Sequence, residues 1–283
     1  MFDGEAKRII LSERGIMNLK EIYKPILKDL LKVKLKIKSE ISDLKENHKF
    51  IRKEIDYFFS KEGKYLRPAL FLFSAKSVNG RNKINQDLIL LAASLELIHN
   101  ASLIHDDIID NEKFRRGGLS LNKKFGDEIS MLIGDLVYSK TFFLMVKKID
   151  ISILRIMADC VERMCCSEVE ELKKNFNTMK DYLKIIKDKT ALLFSVCCEI
   201  GAMVGGGDKK SIKAMKDYGL NFGFAYQIID DYLDNDFSFK SKINPIEKAK
   251  EYLSLAEENL KSLHDSRFKE SLRNLLKYVL YRK

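Results

Sequence analysis

Six aspartates carry the strongest chemical signal in this chain. Asp106, Asp107 and Asp110 fall within Leu103-Ile104-His105-Asp106-Asp107-Ile108-Ile109-Asp110, and the pattern returns as Asp230, Asp231 and Asp234 in Gln227-Ile228-Ile229-Asp230-Asp231-Tyr232-Leu233-Asp234. On a helix, residues four apart stack on one face, so Asp106/Asp110 and Asp230/Asp234 are each a like-charge pair. Such a pair costs roughly 0.2–0.5 kcal/mol on an exposed helix and more where it is partly buried. Two pairs in apolar surroundings call for cations. Mg²⁺ fits: it takes oxygen ligands, keeps several waters, and is held by one or two carboxylates together with substrate phosphate. Basic side chains able to meet phosphate are Lys64, Arg67, Arg115, Arg116 and Lys189. Acidic groups for metal and basic groups for phosphate suit ionisation of a diphosphate ester. The metal stabilises the departing pyrophosphate, and an apolar pocket shelters the resulting carbocation from water.

One D-D-x-x-D in a charged protein is a weak sign; its repetition, with basic motifs between the copies, is what gives it weight. His105 and His99 lie near Asp106 on the same helix, and each taken alone reads as a hydrogen-bonded structural histidine. Gly63-Lys64 lacks the flanking glycines of a P-loop, which argues against a nucleoside triphosphatase. Phe222, Phe224 and Tyr226 read as core.

The elements that must position these residues read as helices. Hydrophobic residues make up 46% of the chain, and only 3 Pro and 14 Gly interrupt it, which leaves long unbroken segments. The periodicity predicts helices over 18–59 (broken near Pro25), 69–78, from Asn85 through the first aspartate cluster, 127–149, 152–176, 181–204, 211–234, and an amphipathic stretch from Pro245 to Leu280. The basic, Gly-containing stretch 113–118 reads as a loop, and no segment alternates with the period of a strand. A single all-helical domain over 1–283 is expected, with 1–16 a poorly ordered extension.

Lys and Arg exceed Asp and Glu by 51 − 41 = 10, a basic balance open to nucleic acid, anionic lipid or a polyanionic substrate. No zinc-ligand or RNA-binding signature accompanies it, so nucleic acid ranks low. Cys160, Cys165, Cys166, Cys197 and Cys198 read as reduced core thiols. No uninterrupted apolar run suits a membrane span, and Met1-Phe2-Asp3-Gly4-Glu5 is unlike a signal peptide, so a cytoplasmic protein is expected.

At these residues the sequence resembles the trans-isoprenyl diphosphate synthases, the polyprenyl synthetases. Gly63-Lys64-Tyr65-Leu66-Arg67-Pro68 is similar to the family's G-K-x-x-R-P, and the resemblance implies that Lys64, Arg67 and His99 bind isopentenyl diphosphate. Asp106, Asp107 and Asp110 match its first aspartate-rich motif, with Asp106 and Asp110 as direct Mg²⁺ ligands. Arg115-Arg116-Gly117 resembles its R-R-G, Arg115 serving the allylic and Arg116 the homoallylic diphosphate. Lys189-Thr190 resembles its K-T motif, and Gln227 with Asp230, Asp231 and Asp234 its second aspartate-rich motif. The implied fold is a large helical bundle of the isoprenoid synthase type with a central cavity, the implied assembly a homodimer. The implied cofactor is Mg²⁺, up to about three ions per site. The implied reaction is head-to-tail condensation of isopentenyl diphosphate with an allylic prenyl diphosphate. Product length in the family follows side-chain bulk at the fifth and fourth residues before the first Asp, here Ala101 and Ser102. Both are small, and a product of C20 or longer is expected.

The resemblance departs after Asp234. The family continues with a G-K and D-L loop and a G-K-x-T-L-P helix, whereas here 235–246 passes directly into the last helical stretch. That departure keeps a second reading open, a non-catalytic subunit of a heteromeric synthase. A class I terpene cyclase ranks lower, because its second metal motif offers Asn/Asp, Ser/Thr and Glu rather than Asp230-Asp231-x-x-Asp234.

Overall fold

A computed structural model describes residues 18–78, 84–173, 178–234 and 244–282. The stretch 1–16 and nearly all of 235–246 lie outside them. In chain order the elements are α1 (Leu19–Tyr23), α2 (Leu27–Asn47), α3 (Arg52–Phe59), α4 (Leu66–Ser77), α5 (Gln86–Ile109), strands β1 (Phe114–Arg115) and β2 (Gly118–Leu119), α6 (Leu121–Phe125), α7 (Asp127–Val146), α8 (Ile151–Lys173), α9 (Met179–Ile186), a π-helical turn (Lys187–Ala191), α10 (Leu192–Val204), α11 (Lys209–Asp234), α12 (Pro245–Leu260) and α13 (Arg267–Tyr281). The fold is all-α, as the periodicity indicates.

Local chemistry explains the boundaries. Asn85 accepts from the Leu88 N–H at 2.9 Å and starts α5. Asn244 caps α12 with Pro245 in its first turn. Ser266 accepts from the Lys269 N–H at 3.1 Å and so begins α13, which divides the expected single C-terminal stretch into two helices. The expected helix 181–204 is likewise divided, by the π turn at Lys187–Ala191. Where a basic loop was expected, β1 and β2 form a two-residue hairpin whose turn, Arg116 (φ +50°) and Gly117 (φ +76°), is left-handed at both positions. That is the turn a right-twisted hairpin favours, and arginine accepts it at a cost of about 1–2 kcal/mol.

The chain forms two compact units, Lys28–Pro68 with Ile84–Leu154, and Met1–Leu27 with Ala69–Lys83 and Arg155–Lys283. The smaller is built on α5 packed against α7. They meet tightly at Gly134, where any Cβ would strike the His105 ring. His105 is thereby a packing residue: its Nε2 lies 3.2 Å from the Met131 carbonyl oxygen, and its ring 5.7 Å from that of Tyr138. The larger unit is built on α10, α11 and α12. Gly219 and Gly223 let α11 lie against the backbone of α10 and of the π turn, with a Cβ at Gly219 only 2.6 Å from the Phe194 carbonyl oxygen. Tyr218 donates from the bottom of this core to the Leu272 carbonyl oxygen at 2.8 Å.

Two sequence expectations change here. Cys160, Cys197 and Cys198 are buried thiols, but Cys165 and Cys166 are exposed on α8. Helices α5 and α7 are also long and apolar enough, by length and composition, to cross a membrane; the apolar window of α5 is 78% buried within the protein and that of α7 33%. For α5 the composition reflects burial.

Candidate active site

The first aspartate cluster occupies the last turn of α5. Asp110 is the helix C-cap, its N–H donating 2.8 Å to the Asp106 carbonyl oxygen, and its side chain is exposed. Asp106, one turn back, is half-buried. Asp107 points elsewhere and is 1% exposed. Its Oδ1 accepts from Arg115 Nε at 2.7 Å and also from Arg115 Nη2, while its Oδ2 has no hydrogen-bond partner. Burial pushes the Asp107 carboxyl upward, and Arg115 only partly opposes this. The three aspartates thus divide: Asp106 and Asp110 share a face, and Asp107 anchors the hairpin.

The same unit assembles a basic cluster around the middle of α5. Arg116 donates from Nη2 to Asn100 Oδ1 at 3.0 Å and from Nη1 to the Lys61 carbonyl oxygen at 3.1 Å. Its guanidinium lies against Gly63, where a Cβ would sit 2.9 Å from Nη2 and displace it. Lys61 secures the hairpin by donating to the Leu119 carbonyl oxygen at 3.3 Å. Glu96 is buried beneath, under the electrostatic influence of Arg67 and Arg116. Burial raises its carboxyl, and its Oε2 has no hydrogen-bond partner. His99 faces Arg67, Arg116 and Arg115, and desolvation together with these cations holds its pKa well below the ordinary histidine value. Its imidazole is neutral at pH 7. Lys64 is exposed at the edge of this cluster.

Because the folded state opposes protonation of His99, the unfolded chain binds more protons below about pH 6.5, and stability should fall as the pH drops from there. Urea midpoints of the wild type and His99→Gln, measured between pH 7 and 5, are expected to show a shallower decline in the variant. Parallel curves would contradict a neutral His99.

The larger unit holds the second set. On α11, Gln227 Nε2 donates to Asp231 Oδ1 at 2.7 Å, and Asp231 Oδ2 accepts from the Tyr182 hydroxyl. Asp230 pairs with Arg282 at 2.9 Å, and Asp234 is exposed. Lys189, carried on the π turn with Thr190, is held by Glu171 at 2.7 Å and Glu168 at 3.0 Å on α8. Burial works against its charge, but the two glutamates outweigh it and raise its pKa above the ordinary lysine range. π turns of this kind concentrate at functional sites, where the extra residue re-aims side chains.

Among the described residues no three His, Cys, Asp or Glu side chains converge on a metal position. The pairs Asp106/Asp110 and Asp230/Asp234 still fit Mg²⁺, which needs only one or two carboxylates when phosphate completes its shell.

A sequence profile of polyprenyl synthetases matches residues 48–244, a span that includes both aspartate clusters, the hairpin and the π turn. The chain belongs to the polyprenyl synthetase family. Among curated proteins, the chain is 38% identical over 184 residues to the octaprenyl diphosphate synthase of Haemophilus influenzae, covering 63% of this chain and 54% of that one. It is also 38% identical over 175 residues to heptaprenyl diphosphate synthase component 2 of Bacillus subtilis, covering 61% and 49%. The chain thus spans about half the length of the curated relatives it matches. Its fold is shared with the polyprenyl synthase of Caulobacter crescentus, solved with calcium and isoprenyl diphosphate, at 24% identity and TM-score 0.84 over 95% of this chain and 99% of that one. A decaprenyl diphosphate synthase from Rhodobacter capsulatus superposes at TM-score 0.83 and 23% identity over 94% and 99%.

Several residues at these sites carry no motif. Lys61, Asn100, Glu168, Glu171, Tyr182 and Arg282 each contact a motif residue, and buried Glu96 interacts electrostatically with Arg67 and Arg116. A faint sequence signal existed for Glu96, a carboxylate in an apolar helix three residues before His99; none existed for Arg282.

Proposed function

We propose that this chain condenses isopentenyl diphosphate with an allylic prenyl diphosphate, head to tail, with Mg²⁺ as cofactor. The observation that carries the reading is the juxtaposition on α5. One helix bears a carboxylate pair suited to a cation, Asp106 and Asp110, and, within the preceding two turns, the neutral His99 surrounded by arginines. Bound Mg²⁺ supplies charge neutralisation of the departing pyrophosphate. Asp106 with Asp110, and separately Asp230 with Asp234, are the carboxylate pairs suited to hold Mg²⁺. Arg67, His99, Arg116 and Lys64 bind the diphosphate of isopentenyl diphosphate; Arg115, oriented by Asp107, serves the allylic diphosphate, and the family resemblance assigns Lys189 and Thr190 to substrate binding as well. Glu168 and Glu171 keep the Lys189 amine charged and aimed, and Gln227 orients Asp231. The proton lost on condensation goes to pyrophosphate. The apolar face of α7, where Ile129, Leu132, Phe143 and Val146 are 45–67% exposed, suits a second copy of the chain, and the proposed assembly is a cytoplasmic homodimer.

The test is incubation of purified protein with Mg²⁺, an allylic diphosphate and labelled isopentenyl diphosphate, followed by product-length analysis. Chain extension is expected. No extension with any allylic primer would favour a non-catalytic subunit, and a hydrocarbon formed without isopentenyl diphosphate would favour a cyclase.

Ala101 is fully buried and Ser102 nearly so, one turn before Asp106, with Ser102 Oγ donating to the His99 carbonyl oxygen at 2.9 Å. If product grows past these positions, Ala101→Phe shortens the main product by one or more isoprene units. A core substitution of this size costs about 1–3 kcal/mol, so product length is to be read on folded protein checked by circular dichroism. An unchanged product would place the growing chain elsewhere.

A further inference from the structure

Arg282 lies 56 residues beyond Tyr226 in the sequence yet sits on it. Its guanidinium carbon is 3.6 Å from the Tyr226 ring centroid, and its Nη2 donates 2.7 Å to the Tyr226 carbonyl oxygen. The ring is itself braced by Phe194 at 5.3 Å and Phe222 at 6.1 Å. The remaining contact of Nη2 is the 2.9 Å ion pair with Asp230 Oδ1. Arg282 is 5% exposed, and its Nε and Nη1 are buried with no hydrogen-bond partner among the described residues.

A buried guanidinium with idle donors is costly, and native proteins retain such groups where a ligand completes them. The idle atoms have a definite preference: Nε and Nη1 belong to the planar fork that grips carboxylate or phosphate in bidentate fashion. Asp230, by contrast, keeps 42% of its side-chain surface exposed, so a cation can reach it. Arg282 and Asp230 are thus each suited to a different component of a metal diphosphate. We propose that Arg282 is a diphosphate-binding residue of the second aspartate motif, paired with Asp230 only until a diphosphate takes its free donors and a cation takes the carboxylate. The inference rests on the proposed use of diphosphate substrates, but its test needs no turnover.

Isothermal titration of the full chain with Mn²⁺ alone, and separately with inorganic pyrophosphate alone, gives opposite signs for the two ligands. In Arg282→Met the counter-ion of Asp230 is gone, so Mn²⁺ should bind about three- to fivefold more tightly. Pyrophosphate should bind about tenfold more weakly, because charge-assisted donors are lost. Arg282→Lys keeps the charge without the fork; it should leave Mn²⁺ affinity near wild type and weaken pyrophosphate by an intermediate amount. The arginines of the smaller unit are unchanged in all three proteins and cancel in the comparison. Weakening of both ligands together in either variant would mean that Arg282 merely braces α11, and no change in either would remove it from the site; both results overturn the proposal. Wild-type chain extension, measured separately, tells whether the diphosphate reading itself has failed.

Discussion

Asp110→Asn is expected to lower the rate of chain extension by about two to three orders of magnitude, while the thermal midpoint of the metal-free protein stays level or rises. The two signs have one cause. Asp110 caps the C-terminal end of α5, where the helix dipole already disfavours a carboxylate by about 0.3–1 kcal/mol. Asp106, one turn back on the same face, adds repulsion of roughly 0.2–0.5 kcal/mol. Asparagine keeps the size and removes both penalties, so on electrostatic grounds the fold benefits from the change. A carboxylate retained against its own helix is the pattern of a site that gives up stability for function. Initial rates at saturating Mg²⁺, set beside melting curves without metal, separate the effects. An unchanged rate would remove Asp110 from the metal set, and a fall in midpoint of several degrees would make it structural.

Gly223→Ala should damage both stability and activity. On an exposed helix the change gains about 0.5–1 kcal/mol, because alanine loses less backbone entropy. Here the new Cβ would lie 2.5 Å from Ala191 Cα and 2.9 Å from its Cβ. That neighbour is backbone and cannot swing aside, so overpacking of about 1–3 kcal/mol outweighs the gain. The strain falls where the chemistry is held. Ala191 ends the π turn that carries Lys189 and Thr190, and Gly223 lies one turn before Gln227 on the helix of Asp230 and Asp231. Moving the turn from α11 by about 1 Å is enough to cost roughly a hundredfold in rate. Urea midpoints and kcat measured together check this, and a Gly223→Ala protein more stable than wild type would show that the two segments can separate freely.

Much of the helical order was legible because its signals are local. Asn85 opens α5 and Pro245 opens α12 where capping chemistry places them, and the apolar rows of α5 and α11 continue into their aspartates. Three departures have identifiable reasons. The π turn adds a residue without changing composition, so the stretch to Val204 keeps a helical periodicity. The hairpin is too short to show alternation; its only cue is a left-handed turn at Arg116-Gly117. The exposure of Cys165 and Cys166 depends on which face of α8 is covered, and their apolar character did not reveal it.

By itself, the sequence determined the carboxylate pairs and the basic motifs, since an i, i+4 relation on a helix needs nothing beyond the helix. Tertiary structure decided how those residues are used. It turned Asp107 inward to Arg115, separating it from Asp106 and Asp110 although the three are equivalent as letters. It placed Glu168 and Glu171 on Lys189, Tyr182 on Asp231, and Arg282 on Asp230. Those partners come from other elements, and pairing between distant segments follows from how helices pack, which leaves no period in the chain to read.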